Sequence, residues 1–150
     1  MKVHIEQGTP DKASHIASLI MEAMNTDCCQ NFAGPHHTLV DFHQMMERLV
    51  KMEDSQYSYL NTLVASNSEG IITGILVAYD GARLKELRRQ FIKEAIVSFG
   101  IDYSAMDAET EAGEFYLDSL AVSSSFRGKG IAKQLLAAAI EKARELGIPK

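Results

Sequence analysis

The sequence predicts an α/β domain in which a mixed β-sheet carries helices on both faces, and three observations predict it. Residues 114–122 form an apolar, aromatic-rich run that is expected to be the central strand. Residues 130–146 follow with apolar side chains at helical spacing, and Gly147 stands where a C-terminal cap belongs. The chain has 150 residues, enough to enclose one core, so residues 1–150 are expected to form a single domain.

The N-terminal part predicts one strand and two helices. Residues 2–6 alternate between polar and apolar side chains, as in a half-buried strand, and apolar residues then recur at helical spacing over 13–24. Residues 25–37 are predicted to be a loop, because asparagine, glycine and proline interrupt every pattern. Thr38 and Asp41 resemble a capping box at the start of the second helix.

The middle of the chain predicts a β-hairpin followed by a helix. Residues 60–65 and 71–79 are apolar and flank a turn, and Gly74 inside the second run indicates a bulge or a close backbone approach. Residues 82–99 repeat apolar side chains at helical spacing. Residues 100–113 are acidic and are predicted to form a loop or a short helix.

Composition excludes some classes of function. A net charge of −5 argues against a nucleic-acid partner, which requires broad positive potential. The sequence has no apolar run of membrane-spanning length and no apolar signal-peptide segment, so no membrane partner and a cytoplasmic location are expected. Cys28 and Cys29 precede His36 and His37, but this spacing matches no standard zinc pattern, so we expect reduced thiols and no metal.

Positive charge is concentrated at the start of the last helix. Arg127, Lys129 and Lys133 lie there, and no acidic residue occurs between Ser119 and Ile140. Each cation is disfavoured by roughly 0.3–1 kcal/mol at a helix N-terminus, which already carries partial positive charge. This cluster in an acidic chain therefore indicates an anionic ligand.

The backbone at the same place also indicates an anion. No Ser, Thr, Asp or Asn directly precedes the helix to cap its first N–H groups, while Gly128 and Gly130 let a ligand oxygen come close. A phosphate can replace the cap. The alternative is a solvated basic turn that ends a loop. Neither a P-loop string nor the third position of a dinucleotide-binding glycine motif is present.

These residues resemble the acetyl-CoA signature of the GNAT superfamily, the Gcn5-related N-acetyltransferases. That pattern is Gln or Arg, two residues, Gly, one residue, then Gly or Ala, and Arg127, Gly130 and Ala132 fill it. The resemblance implies that backbone N–H groups hold the coenzyme A pyrophosphate, along Arg127, Gly128, Lys129, Gly130, Ile131 and Ala132. It also implies that the preceding string Leu120-Ala121-Val122 contacts the pantetheine arm and orients the thioester.

The resemblance implies an N-acetyltransferase that uses acetyl-CoA as co-substrate and a primary amine as acceptor. A non-catalytic acyl-CoA-binding regulatory module is the alternative. The reaction needs a group that takes a proton from the amine. Asp118 and Glu114 are the candidates, since they share one strand face if no bulge intervenes, although either carboxylate could instead be solvated or salt-bridged.

The chain departs from the family pattern in two places. The family continues with another strand and helix where this chain stops. The domain is therefore expected to be C-terminally incomplete, and the alternative is that another chain completes the core. Residues 80–113 are longer than the family's usual connection, and this insert could shape the acceptor site, form a homodimer surface or act as a lid. The acidic tract at 102–114 favours a cationic acceptor, such as a polyamine, aminoglycoside or protein amine, or is merely solvated.

Overall fold

The computed structural model describes residues 3–105 and 114–148. Four strands and five α-helices follow one another in these ranges. Their order is β1 (His4–Gln7), α1 (Ala13–Met24), α2 (Thr26–Ala33), α3 (Leu39–Lys51), β2 (Thr62–Ser66), β3 (Ile72–Asp80), α4 (Leu84–Phe99), β4 (Phe115–Val122) and α5 (Ile131–Glu145). None of the helices in this part of the chain combines the length and the apolar character that crossing a bilayer requires.

The sheet has the order β1-β2-β3-β4, and each pair of neighbours is antiparallel. The predicted hairpin is confirmed as β2 and β3. The predicted α/β class and the strand–helix unit at its C-terminal end are confirmed, but the expected mixed sheet with a central strand 114–122 is wrong for the described residues. There β4 is an edge strand, because its only strand neighbour is β3.

Helices cover both faces of the sheet, as predicted. Helices α1, α2, α3 and α4 enclose the larger core on one face, which includes fully buried Phe42, Ile16 and Leu49. Helix α5 covers the other face with Ile131, Leu135 and Ala139. Strand β4 contributes to both cores.

Helix α4 occupies most of the insert and belongs to the larger core. Its residues Leu87, Phe91 and Ala95 are buried there, and Phe99 stacks on Phe42 of α3 at a ring-centroid distance of 6.1 Å. Because this apolar face is occupied, α4 forms part of the core of the domain. The acidic residues 106–113 of the predicted loop lie outside the described residues.

The loop predicted for residues 25–37 is wrong, since Thr26–Ala33 form α2. Asn25 adopts a left-handed φ of 72°, and its side-chain oxygen accepts a hydrogen bond from the Cys28 N–H at 2.9 Å. The residue that suggested a break in the pattern is therefore the N-cap of this helix. The capping box of Thr38 and Asp41 at the start of α3 is confirmed.

Candidate active site

The turn before α5 exposes backbone N–H groups at the start of a helix. Gly130 is the N-cap, in the left-handed conformation with φ 78°, and no side chain in the described part of the chain caps the helix. Gly128 has φ 79°, so both glycines take a conformation that side-chain-bearing residues rarely adopt. The first N–H groups of a helix have no intrahelical partner, so the turn offers several donors to one anion.

The turn is held against the end of β4. The Arg127 side chain donates from Nε to the carbonyl oxygen of Val122 at 3.1 Å, and Lys129 Nζ lies 6.0 Å from the centroid of the Phe126 ring. A cavity of about 470 Å³ opens at this place. It is lined by Leu120, Val122, Phe126, Arg127, Gly128, Gly130, Ile131, Ala132 and Lys133. The structure therefore brings the predicted strand and turn residues to one cavity.

Two of the predicted contacts to coenzyme A, Ala121 and Lys129, are not among the residues that line this cavity. Lys129 is exposed on the turn. Ala121 is 8% exposed and faces the larger core, so only its backbone is available to a ligand. Leu120 and Val122 pack on the side of α5. The edge of β4 that faces away from β3 has no strand partner among the described residues, and such an edge presents backbone N–H and C=O groups to an extended ligand.

Asp118 lies at a β-bulge in β4. Val77 pairs with Ser119 and Ala78 pairs with Leu117, which leaves Asp118 as an extra residue on β4. The bulge changes the alternation of the strand: Asp118 faces the helices α1, α2 and α4, whereas Leu120 faces α5. Asp118 therefore lines a cavity on one face of the sheet, and Leu120, two residues later, lines the cavity on the other face.

Two buried side chains fix the Asp118 carboxylate. Tyr79 donates from its hydroxyl to Asp118 Oδ2 at 2.8 Å, and Gln56 donates from Nε2 to the same oxygen at 3.2 Å. Burial, and then the charge of Asp118, raise the pKa of the Tyr79 hydroxyl well above its usual range. Tyr79 is therefore a permanent donor, which orients Asp118 without competing for the proton.

Asp118 lines a cavity of about 240 Å³ between the helices and the bulge. Five of the other lining side chains are apolar or aromatic, or carry a thiol, and two are polar. The lining is Met24, Cys28, Phe32, Gln56, Tyr57, Arg88, Phe91 and Asp118. A small cavity with mostly apolar walls and a few convergent polar groups is typical of a site for a small molecule.

The structure does not bring Glu114 to this cavity. Glu114 precedes the first residue of β4, and its backbone carbonyl accepts a hydrogen bond from the Gly81 N–H at 2.8 Å. Four residues along a strand span about 13 Å, so the two candidate carboxylates lie far apart. Asp118 is the candidate that the geometry favours.

Sequence reasoning missed Gln56, Tyr79 and Arg88. Gln56 lies in the connection between α3 and β2, 62 positions from Asp118, and no motif marks it. The sequence pattern places Tyr79 only in an apolar strand. Arg88 lies within the predicted helix and is 5% exposed. A charged residue among apolar neighbours was the one feature of the sequence that could have indicated its buried role.

Comparisons with known proteins agree with the resemblance stated above. Residues 94–150 match the model of the acetyltransferase (GNAT) family. Among curated proteins, none matches the sequence.

The fold is shared with several solved structures. One, described as an acetyltransferase, has 24% identity and a TM-score of 0.76, and the match covers 97% of this chain and 76% of the other. An N-acetyltransferase from Staphylococcus aureus Mu50 has 20% identity and a TM-score of 0.75, with 93% and 75% covered. A GNAT family acetyltransferase from Brucella melitensis, solved with acetyl-CoA, has 15% identity and a TM-score of 0.51, with 98% and 71% covered.

These matches confirm the predicted resemblance to the GNAT family and the predicted α/β fold class. The family model covers the part of the chain that holds α5 and the turn before it. The structural matches extend the shared fold over nearly the whole chain.

Proposed function

We propose that this chain, with its GNAT fold and its GNAT-matching C-terminal part, is an acyltransferase that moves an acetyl group from acetyl-CoA to a primary amine. One observation carries the proposal above the others. Among the described residues, helix α5 begins after its N-cap Gly130 without a side-chain cap, beside the edge strand β4 and at a cavity where cations are concentrated. The start of α5 suits the pyrophosphate, and the edge of β4 suits the pantetheine arm and the thioester.

The pyrophosphate binds at the turn Arg127–Ala132. Backbone N–H groups at the start of α5 donate to its oxygens, and the exposed side chains of Arg127, Lys129 and Lys133 add positive charge. Most of the affinity comes from the backbone, because the lysine and arginine side chains are exposed and screened by salt.

The pantetheine arm extends along the free edge of β4 like an added strand. Backbone groups of Leu120 and Val122 pair with its amides, which brings the thioester toward the bulge at Asp118. A backbone N–H at this point would stabilise the negative charge that develops on the thioester oxygen.

The amine approaches from the cavity on the opposite face. Asp118 Oδ1 or Oδ2 takes one proton from the ammonium group, and the neutral nitrogen attacks the carbonyl carbon of the thioester. The C–N bond forms, the C–S bond breaks, and the thiolate leaves. The nitrogen then loses its second proton, and the thiolate gains one to give free coenzyme A. The products are an N-acetyl amide and the thiol.

The family match favours this enzyme over a non-catalytic acyl-CoA-binding module, which would need the turn but no oriented carboxylate. The network of Tyr79, Gln56 and Asp118 supports the enzyme for the same reason. The test is acetyl transfer from acetyl-CoA in a screen of amines, followed by release of the free thiol. If the protein binds coenzyme A but transfers acetyl to no amine, the enzyme proposal is wrong and the regulatory acyl-CoA-binding module is the better function.

A further inference from the structure

We propose that the acceptor is a small zwitterionic amino acid with an apolar side chain, acetylated on its α-amino group. This inference deepens the proposed function and rests on it. It comes from the cavity of about 240 Å³ lined by Asp118, which we call the acceptor cavity. Its two charged groups have opposite signs and its walls are apolar.

Gln56 lines the acceptor cavity and carries a buried acceptor atom. Its side chain is 5% exposed, and Nε2 must face Asp118 because a carboxylate only accepts hydrogen bonds. The amide orientation is thereby fixed, and Oε1 accepts no hydrogen bond from the described residues. A buried acceptor needs a donor. An ammonium group supplies three donors, which Gln56 Oε1 and the Asp118 carboxylate can share.

Arg88 determines what else the acceptor carries. It is a buried cation on the wall of the same cavity, 5% exposed on α4. A guanidinium group has five N–H donors in a planar fork that suits a carboxylate, so it can bind a ligand in addition to its protein contacts. A second ammonium group near this cation would be repelled. The pair of charges therefore favours an amino acid over the polyamine or aminoglycoside that the acidic tract suggested.

The volume and the walls of the acceptor cavity limit the rest of the molecule. About 240 Å³ equals roughly eight times the volume of one water in the liquid, so it holds a compact ligand. Met24, Phe32, Tyr57 and Phe91 offer apolar and aromatic surface to its side chain. L-Leucine is a suitable probe, and 3-methylbutylamine is the same molecule without its carboxylate.

The first test compares these two acceptors with the unmodified protein. We expect kcat/KM for L-leucine to exceed that for 3-methylbutylamine by roughly 10- to 100-fold, the factor that a charge-assisted contact supplies. Equal efficiency, or a preference for the amine, would overturn the inference. So would a protein that binds coenzyme A and acetylates neither compound. Failure to bind coenzyme A at all would instead overturn the proposed function.

Arg88→Met and Arg88→Lys test whether Arg88 is the source of the preference. We expect both to reduce the L-leucine to 3-methylbutylamine ratio toward one, with less effect from Arg88→Lys, which keeps the charge but loses the fork. Arg89→Met is the matched control, because Arg89 is the next residue of α4 and is exposed. An unchanged ratio in a folded Arg88 variant would contradict the assignment.

Cys28 provides a binding readout that needs no turnover. It lines the acceptor cavity, whereas Cys29 is fully buried and burial raises the pKa of its thiol to about 11. Iodoacetamide alkylates a thiolate with loss of iodide, so Cys28 reacts first. Desulfo-coenzyme A, which has no thiol to consume the reagent, takes the place of coenzyme A in this assay. With it bound, saturating L-leucine should slow alkylation of Cys28 several-fold, and equimolar 3-methylbutylamine should slow it less. No protection by L-leucine would contradict the inference.

Discussion

Asp118→Asn tests whether Asp118 takes the proton from the acceptor amine, because the substitution changes the shape of the site little. The two side chains have the same shape, and an asparagine oxygen at the position of Oδ2 still accepts from Tyr79 and Gln56. The amide group then faces Ser119, whose hydroxyl lies 3.4 Å from Oδ1 and can accept a hydrogen bond. The variant keeps these two hydrogen bonds but loses the negative charge, and with it the ability to take a proton.

The expected magnitudes follow from these contacts. Two hydrogen bonds to a charged oxygen become bonds to a neutral one, at a cost of about 1 kcal/mol each in the free energy of unfolding. In a chain of this size the loss of about 2 kcal/mol lowers Tm by about 4–8 °C. Loss of a positioned base lowers kcat by roughly 10²–10⁴-fold. The dissociation constant of acetyl-CoA should change little, because the turn proposed to bind its pyrophosphate lies on the other face of the sheet.

The assay combines steady-state kinetics with calorimetry of acetyl-CoA binding and a thermal melt. Tyr79→Phe is the matched control, since it removes one hydrogen bond to Asp118 and leaves the carboxylate. We expect it to lower kcat about tenfold or less. Full turnover by Asp118→Asn would refute the role of Asp118. If Glu114→Gln also retained full turnover, an ordered water would be the better proton acceptor.

Three further predictions concern local structure. A Cβ atom at Gly74 would lie 2.9 Å from the carbonyl oxygen of Ala121, so Gly74→Ala should lower the free energy of unfolding by about 1–3 kcal/mol and weaken coenzyme A binding, as denaturant titration and calorimetry would measure. Thr38→Ala removes the N-cap of α3 and should cost about 0.5–2 kcal/mol in the same titration, with kinetics unchanged. Peptide mass spectrometry after brief alkylation should find Cys28 modified well before Cys29, and equal rates would contradict the burial described here.

The conformation of the glycine turn before α5 was predictable because its signal is local. Two glycines and a cluster of cations lie within a few residues of the helix start, and the structure places Gly128 and Gly130 at positive φ. The capping box at Thr38 and the hairpin around the turn at 67–70 were predictable for the same reason.

Features that depend on distant contacts were not predictable. The edge position of β4 follows from which strands pair, and a run of apolar residues is similar in a central and an edge strand. The bulge at Asp118 is visible only as a register change against β3. Gln56 acquires its role through a contact across 62 positions of the chain.

Binding of coenzyme A to Gly130→Asp and Gly130→Asn tests the central claim most directly. Both variants place a side chain at the same positive φ, which asparagine and aspartate tolerate better than most residues, and no atom lies within 4 Å of the new Cβ. The backbone strain is therefore matched, and the variants differ in a negative charge that faces the phosphate.

We expect calorimetry to detect no binding to Gly130→Asp and weakened binding to Gly130→Asn. Arg127→Ala, which leaves every N–H group in place, should lose only about 1–2 kcal/mol. If Gly130→Asp binds coenzyme A as tightly as the unmodified protein, the turn Arg127–Ala132 is not the phosphate site, and the acetyltransferase proposal loses its main support.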